Sequence, residues 1–375
     1  MKTTLVEEIK AKLLQMILEE RLPHDQPLPT IRKLAQRFNT SVMTVQKAVK
    51  ALSEEDIIEA KRGKGLFVKP SVRSEKTNNR IGLVFPQRES YLNSSPYPKI
   101  IIDTIRKRIA KHSLSLEVCS IHSLNESEIL KFLQAKDLGG ILSFEVESER
   151  ILIEMKRLKL PIISLDYDAF RIGISSVVYD NTCGCFDATK YLIDCGHKHI
   201  AMMSPYLSHN LGGVPHLDYT SEQRTLGYRM AMHSAGLENS IEEYPHDKKL
   251  LKEKCLQIFG RRPTPTAIVC AVDQKAIAIA NIAIELGFKI PEELSIIGFG
   301  DIGLKISSGQ RLASVSIDMK GMGEQAVNLL VNQIYGKENE LRRILLSTQI
   351  KEHKTIRNLR NKSMKKVQII LDKEK

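Results

Sequence analysis

A predicted helix at residues 41–52 carries polar and basic side chains along one face. Thr44, Gln46, Lys47 and Lys50 share that face, while the apolar residues between them form a separate stripe. Amide and ammonium groups arranged in this way can hydrogen-bond base edges and phosphates in the major groove of DNA. The spacing therefore predicts a helix that reads nucleic acid.

The flanking residues predict the elements that hold this helix in place. Residues 5–18 have the apolar spacing of a first amphipathic helix, and residues 29–38 that of a short second one. Residues 39–41 (Asn-Thr-Ser) break the pattern and offer side-chain caps for the next helix. A strand begins at residues 57–58, and the sequence Arg-Gly-Lys-Gly at 62–65 turns it back into a second strand. This order predicts a winged helix-turn-helix.

Three segments, LPTIRKLA, TVQKAVKAL and KRGKGLFV, resemble the GntR family of bacterial transcription regulators. The resemblance implies a DNA-binding domain at residues 1–70, with the recognition helix in the major groove and the tip of the wing against the backbone or the minor groove. Val42 departs from the family, which usually has an arginine there, so one expected contact is missing. The residues that the resemblance assigns to DNA are Arg32, Ser41, Met43, Thr44, Gln46, Lys47, Lys50, Arg62, Gly63, Lys64 and Gly65.

The distribution of charge favours DNA over a protein partner for this domain. Residues 1–79 hold 15 Lys and Arg against 10 Asp and Glu, and residues 351–375 hold 9 against 3. The whole chain of 375 residues carries +12, so residues 80–350 are nearly neutral. A polyanionic partner is expected for the two ends and a different task for the middle. A polar linker is predicted at 71–79, and a basic tail at 358–375 is either a solvated helix or a further DNA or partner contact.

The middle of the chain alternates short apolar strands with amphipathic helices from residue 80 onward. Such alternation predicts an α/β fold with parallel sheets, and the pattern restarts near residue 199, which predicts two consecutive Rossmann-like lobes with a cleft between them. Ligands of such sheets bind at the carboxyl ends of the strands. With 42% hydrophobic residues the chain can build cores for two or three domains.

Four segments of this region resemble the effector domain of the LacI/GalR family, which is similar to periplasmic sugar-binding proteins. They are YLIDCGHKHIAMMS, RTLGYRMAMHSAGL, PTAIVCAVDQKAIAIANIAIELGFKIPEELSIIGFGDI and RLASVSIDMKGMGEQAVNLL. The resemblance spans about residues 80–357 and implies a type I periplasmic-binding-protein fold, a homodimer, and a monosaccharide or derivative bound between the lobes. The ligand contacts that it implies are Arg224, Asp180, Asn181, Cys183, Tyr91, Asp273 and Asp301.

Three positions that are usually polar in the family are not polar here. They are Val272, Gly300 and Ile317. A buried polyol leaves its hydroxyls unpaired at such positions, at a cost of about 1–3 kcal/mol each. Either the site has been rebuilt for a different ligand, or it no longer binds one. Candidate replacements lie at 87–91 and in the loop 205–224, which carries His209, Asn210, His216, Asp218 and Tyr219.

These features together predict a cytoplasmic, dimeric regulator, in the family's usual sense a repressor, that reads a palindromic double-stranded DNA operator and responds to a sugar-like effector. No cofactor, metal or membrane partner is expected: the six cysteines form no CxxC, although Cys183 and Cys185 leave a thiol or metal site as an alternative. No nucleophile elbow or phosphate-binding glycine loop indicates an enzyme. A regulator that acts without an effector is the remaining alternative.

Overall fold

The computed structural model describes residues 5–19, 27–55, 57–61, 64–68, 79–94, 96–205, 218–244, 248–337 and 340–360. Nearly all of the predicted linker at 71–79 and the tail beyond residue 360 lie outside these ranges. Within them, no helix is both long enough and apolar enough to cross a membrane.

The N-terminal domain contains three helices and a two-stranded antiparallel sheet around its own apolar core. Its elements are α1 (Leu5–Glu19), α2 (Ile31–Arg37), α3 (Val42–Glu54), β1 (Ile58–Lys61) and β2 (Gly65–Val68). The caps are those that the sequence offers: the Thr30 hydroxyl accepts the N–H of Lys33 at 3.4 Å, and the Ser41 hydroxyl accepts that of Thr44 at 3.1 Å. The predicted winged helix-turn-helix is confirmed.

The first lobe of the body is a six-stranded parallel sheet with helices on both faces. Its strands are β3 (Arg80–Phe85), β4 (Ser115–Ser120), β5 (Gly140–Phe144), β6 (Ile162–Leu165), β7 (Ser175–Tyr179) and β13 (Arg343–Leu346), in the order β13-β7-β6-β5-β3-β4. Its helices are α4 (Pro96–Ala110), α5 (Glu126–Gln134), α6 (Glu149–Lys156) and α11 (Met319–Ile334). Short 3-10 turns lie at Glu89–Asn93 and Phe170–Ile172.

The second lobe repeats this arrangement, with one antiparallel strand at the edge of its sheet. Its strands are β8 (Ile200–Pro205), β9 (Ile241–Tyr244), β10 (Ala267–Cys270), β11 (Ser295–Gly300), β12 (Ala313–Ile317) and β14 (Thr348–Lys351), in the order β14-β12-β11-β10-β8-β9. Its helices are α7 (Asn181–Asp194), α8 (Tyr219–Ser234), α9 (Lys248–Phe259) and α10 (Asp273–Glu285).

The two lobes are interleaved in sequence rather than consecutive, which corrects the prediction. The chain passes to the second lobe after β7, returns to the first after β12, and passes back between β13 and β14. At the first two crossings Asp180 and Asp318 cap the helices that follow, α7 and α11. β13 pairs with β7, and β14 pairs with β12. Because the paired strands are separated in the sequence, local sequence patterns did not predict these pairs.

The packed body extends slightly beyond the predicted boundary at residue 357. The N–H of Leu359 donates to the carbonyl of Cys195 at 2.8 Å, which holds the end of the described chain against the second lobe. His197 is buried beneath this segment, where its ring nitrogens contact Thr266 Oγ1 and the carbonyl of Arg357. This histidine is a structural residue.

Candidate DNA-binding face and effector cleft

The exposed face of α3 carries most of the side chains that the sequence assigned to DNA. Ser41, Met43, Gln46, Lys47 and Lys50 are exposed, and Thr44 is partly exposed. The opposite face is buried against α1, α2 and β1. The helix is therefore held by one side while the other remains open to a groove.

The start of α3 is more apolar than the usual DNA-contacting helix. Val42 and Met43 have 42% and 66% of their surface exposed, and neither contributes to the core of the domain. Apolar side chains at the start of a recognition helix can contact the methyl group of thymine. Val42 thus presents an exposed apolar side chain where the family usually has an arginine.

The wing and α2 place the remaining predicted DNA residues around α3. Lys64 and Gly65 are exposed at the turn between β1 and β2, and Gly65 has a φ of 107°, which favours glycine. Arg32 is exposed on α2. Arg62 and Gly63 lie outside the described residues.

A cavity of about 400 Å³ lies between the two lobes, at the carboxyl ends of their central strands. Such a volume is within the range of small-molecule sites. The first lobe contributes Tyr91, Ser94, Tyr97, Glu145 and Asp166, and the second contributes Thr220, Arg224, Val272, Gln274, Phe299, Gly300, Ile302 and Ile317. Its two walls differ in chemistry.

Two carboxyl groups dominate the wall formed by the first lobe. Glu145 and Asp166 directly follow β5 and β6, and both adopt the left-handed region, with φ of 54° and 67°. Glu145 accepts hydrogen bonds from Tyr91 Oη and Gln87 Nε2, each at 2.8 Å. Asp166 Oδ2 accepts one from Tyr97 Oη at 2.6 Å. The strained backbone aims both carboxyl groups at the cleft.

Burial raises the pKa of both acids. The pKa of Glu145 rises to about 8 because the carboxyl group is desolvated and lies near Asp166. The pKa of Asp166 rises to about 6, again through burial, although Tyr97 and the nearby Arg224 oppose the shift. At neutral pH burial thus favours the protonated form of Glu145, while Asp166 is mainly charged.

Further acidic and aromatic groups lie where the two lobes meet. Glu147 has a pKa raised to about 8 by burial and by Asp218, while the backbone N–H of Tyr219 donates to its carboxylate. The rings of Tyr167 and Tyr219 pack edge to face across the lobes, with centroids 5.3 Å apart. Asp218 caps α8 through Ser221. These contacts join the lobes beside the cavity.

Arg224 is the main polar group of the opposite wall. Its Nε donates to Asn181 Oδ1 at 2.9 Å and its Nη1 to the carbonyl of Ala271 at 2.7 Å. The guanidinium lies over the ring of Phe299, 3.9 Å from the centroid. With only 6% of its surface exposed, Arg224 is fixed in place at the cavity.

A close approach of α7 and α8 makes this placement possible. A Cβ on Gly227 would lie 2.2 Å from the carbonyl oxygen of Thr182, so only glycine lets the helices pack this tightly. Asn181 and Arg224 lie on these two helices and meet through the same contact. Arg224 and Gly227, both in the RTLGY sequence of this segment, therefore act together.

The other predicted effector contacts serve different purposes, except Tyr91, which lines the cavity. Asp180 caps α7 by accepting the N–H of Cys183, whose thiol is exposed and has a pKa raised mainly by its hydrogen bond to Asp180. Asn181 is buried behind Arg224. Asp301 pairs with Arg311 at 3.0 Å. Asp180, Asn181, Cys183, Asp273 and Asp301 are not among the residues that line the cavity.

Asp273 shapes the cavity from behind. Its carboxylate accepts the Ser314 hydroxyl at 2.7 Å and the N–H of Ile302 at 2.9 Å. A Cβ on Gly298 would lie 2.2 Å from Asp273 Oδ1, so this glycine makes room for the carboxylate. The loop from Gly300 to Ile302 is thereby fixed as part of the wall.

Sequence reasoning missed Tyr97, Glu145 and Asp166 because they belong to none of the family motifs. The usable signal was the position of the two acids immediately after predicted strands, where ligands of parallel sheets bind. His209, Asn210 and His216 lie outside the described residues. Among the described residues, no three His, Cys, Asp or Glu side chains are grouped to hold a metal ion.

Comparison with known proteins decides the nature of both parts. Residues 5–68 match the model of the bacterial regulatory proteins of the gntR family, and residues 189–356 match that of the periplasmic binding protein-like domain. The chain joins a GntR-type DNA-binding domain to a periplasmic-binding-protein-like domain. Both resemblances seen in the sequence are confirmed.

Similar proteins of known role are transcriptional repressors that match most of the length of this chain. The arabinose metabolism transcriptional repressor of Geobacillus stearothermophilus is 24% identical over 87% of this chain and 90% of its own. The repressor PurR of Serratia proteamaculans is 25% identical over 88% of this chain and 97% of its own.

Solved structures confirm the fold. The regulator CelR, solved with cellobiose, superposes with a TM-score of 0.64 at 18% identity and covers 88% of this chain and 100% of its own. A LacI family regulator of Enterococcus faecium with bound ribose gives a TM-score of 0.61 at 20% identity, covering 75% and 99%.

Proposed function

We propose that this protein is a cytoplasmic transcription regulator, acting as a repressor, whose winged domain binds an operator and whose cleft binds a small polar effector. The observation that carries the proposal is the combination of an exposed recognition face on α3 with a cavity between two lobes built around Arg224. We propose no enzymatic activity.

The DNA-binding half rests on the chemistry of α3. Gln46 offers a bidentate amide for a base edge, while Lys47 and Lys50 offer point charges for phosphates. We propose that the protein is a homodimer, because two identical heads related by a two-fold axis match a palindromic operator.

The effector half rests on the cavity and its fixed polar groups. The relatives include proteins solved with cellobiose and ribose, and we propose that a sugar-like molecule occupies the same cleft here. Arg224, Tyr91, Glu145 and Asp166 would contact it directly. Asn181 and Asp273 would position the wall rather than touch the ligand.

A DNA-binding titration tests the first half. The DNA upstream of the protein's own gene is labelled, and the affinity is measured across a series of salt concentrations. Gln46→Ala should lose about 1–3 kcal/mol of discrimination between the natural half-site and one altered at the contacted base. Lys47→Ala should weaken binding to every sequence and reduce the salt slope by about one unit.

Lys12→Ala is the matched control, because Lys12 is an exposed lysine of the same domain that pairs with Glu8 on α1. It should leave both the discrimination and the salt slope unchanged. Equal effects of the Lys12 and Lys47 variants would contradict the assignment of α3 as the recognition helix. Equal affinity for a palindrome and for a single half-site would contradict the dimer.

A further inference from the structure

The chemistry of the cleft narrows the class of effector that it can bind. This inference rests on the proposed effector site, and it concerns the wall of the first lobe. We infer that the effector carries a protonated amine, which lies against Asp166 and Glu145 and among the aromatic rings of the cavity.

The first observation is an unpaired buried oxygen. Asp166 has only 6% of its surface exposed and lines the cavity, yet its Oδ1 has no hydrogen-bond partner among the described residues. The other oxygen, Oδ2, is already bonded to Tyr97. A buried acceptor of this kind calls for a donor, and a charged donor satisfies a carboxylate best.

The second observation is that the two tyrosine hydroxyls that line this wall are already used. Tyr91 and Tyr97 could donate to a neutral ligand, but both hydroxyls donate to the carboxyl groups of Glu145 and Asp166. The wall therefore offers mainly acceptor oxygens. A ligand that meets it must bring its own donors.

The third observation is the balance of charge around the cavity. Glu145 and Asp166 line it. Glu147 and Asp218 contribute to the raised pKa of Glu145, and Asp218 contributes to the raised pKa values of Asp166 and Glu147. The basic groups are Arg224 and Lys275. Arg224 is held in the opposite wall by Asn181 and Ala271. Burial lowers the pKa of Lys275 to about 8, while the nearby Asp218 favours its charged form. Four acids thus lie near two bases. Burial favours the protonated form of Glu145, and a bound ammonium ion would favour its charged form instead.

The fourth observation is the ring content of the cavity. Tyr91 and Tyr97 line the same space as the two acids, whereas the ring of Phe299 already has the guanidinium of Arg224 over it. Aromatic faces and carboxylates together are the groups that bind ammonium ions well. A bound metal ion would instead need three or more ligands converging on one point, and the described residues contain no such group.

The test compares amines with neutral molecules of the same shape on the full-length protein. D-Glucosamine is paired with D-glucose, D-galactosamine with D-galactose, and 1,4-diaminobutane with 1,4-butanediol, at neutral pH and up to high millimolar concentration. Sodium chloride equalises the ionic strength. Thermal unfolding and calorimetric titration are measured, and the sugar and diamine arms separate an amino sugar from a simple polyamine.

The expected result is that at least one amine binds roughly tenfold or more tightly than its neutral partner. The combined substitution Glu145→Gln and Asp166→Asn should abolish that preference. Both changes keep the shape of the side chain and remove a charge whose burial is unfavourable, so the variant should fold. Glu126→Gln, an exposed acid at the start of α5, is the matched control and should keep the preference.

Two results would overturn the inference. One is a neutral sugar that binds as tightly as its amine; if Arg224→Ala abolishes that binding, the regulator and its cleft stand while the amine is excluded. The other is a panel in which no amine stabilises the protein more than its neutral partner, because an ammonium site of this kind should retain millimolar affinity for these probes. The DNA titration above then decides separately whether the proposed function survives.

Discussion

The two walls of the cleft follow different strategies for holding a ligand. The second lobe presents an apolar surface, Val272, Phe299, Ile302 and Ile317, interrupted mainly by one rigidly fixed arginine. The first lobe presents two carboxyl groups whose positions are set by strained backbone after β5 and β6. The polar side chains expected on the second-lobe wall are therefore found on the first-lobe wall.

This difference explains how the chain can lose family ligand positions without losing a site. The three changed positions, Val272, Gly300 and Ile317, all lie in the second lobe, where they make the wall drier. A drier wall strengthens the electrostatic interactions of the opposite one, because the local dielectric falls. The proposed effector site is therefore a rebuilt cleft rather than a lost one.

Among the substitutions in the two walls, Arg224→Ala should have the largest effect on effector affinity. It removes the charged group that the described residues of the second-lobe wall contribute, together with its contacts to Asn181 and Ala271. Effector affinity should fall by about 3 kcal/mol, or roughly a hundredfold. Calorimetric titration with the tightest ligand of the panel measures this. Arg224→Lys keeps the charge but not the two-point geometry, and should recover only part of the loss.

Gly227→Ala should come next, and it should act on stability. The added Cβ would approach backbone atoms of α7 at 2.2 Å and 2.9 Å, so α7 and α8 must separate. The free energy of unfolding should fall by about 2 kcal/mol, and effector binding should weaken because Asn181 and Arg224 move apart. Denaturant unfolding provides the measurement. Gly260→Ala, where the nearest atom is 3.1 Å from the new Cβ, should cost less; equal losses would refute the close-packing argument.

The pH dependence of the free energy of unfolding should show whether Glu145, in the first-lobe wall, has a raised pKa. Because the folded-state pKa of Glu145 is raised to about 8, the folded protein holds a proton that the unfolded chain releases at lower pH. Its contribution to stability is present below the unfolded pKa of about 4.3 and is lost as pH rises towards 8. Glu145→Gln should therefore stabilise the protein more at pH 8 than at pH 5, by about 1 kcal/mol after allowing for solvent screening.

Thermal unfolding of the parent and the Gln variant across this pH range would measure the difference. Affinity for an amine should rise over the same range, since the carboxylates that would bind it become charged. A Glu145→Gln variant whose stability tracks the parent at every pH would show that this wall does not titrate as described.

Val272→Asn should have the smallest effect and tests whether the dry wall can be made polar again. Val272 is the N-cap of α10 and makes no side-chain hydrogen bond there. An asparagine can cap the helix, so stability should rise by about 0.5–1 kcal/mol with little change in ligand preference. Destabilisation accompanied by a new preference for neutral sugars would mean that the amide faces the cavity instead.

Features that depend on residues close together in the sequence could be predicted, and features that depend on distant residues could not. The N-terminal domain could be predicted because its helix caps, Thr30 and Ser41, and the apolar face of α3 depend on residues that are close together in the sequence. Arg224 was readable because it belongs to a motif. The interleaved lobes were not, because the pairing of β13 with β7 joins residues far apart in the chain.

The acidic wall escaped prediction for a related reason. Glu145 and Asp166 come from separate strand ends, and their partners Tyr91, Tyr97 and Gln87 come from other segments. Only the folded sheet brings them together. The family resemblance implied that Asp273 and Asp301 contact the ligand. In the structure their carboxylates contact Ser314, Ile302 and Arg311.

The central claim is that occupation of the cleft controls the affinity for DNA. The most direct measurement titrates the labelled upstream DNA with the parent protein and with the Glu145→Gln, Asp166→Asn variant, each with and without the amine that stabilises the parent most. The amine should change the dissociation constant for DNA by about tenfold or more in the parent, in line with typical coupling energies, and should leave that of the variant unchanged. An amine that binds the parent but leaves its DNA affinity unaltered would contradict the account.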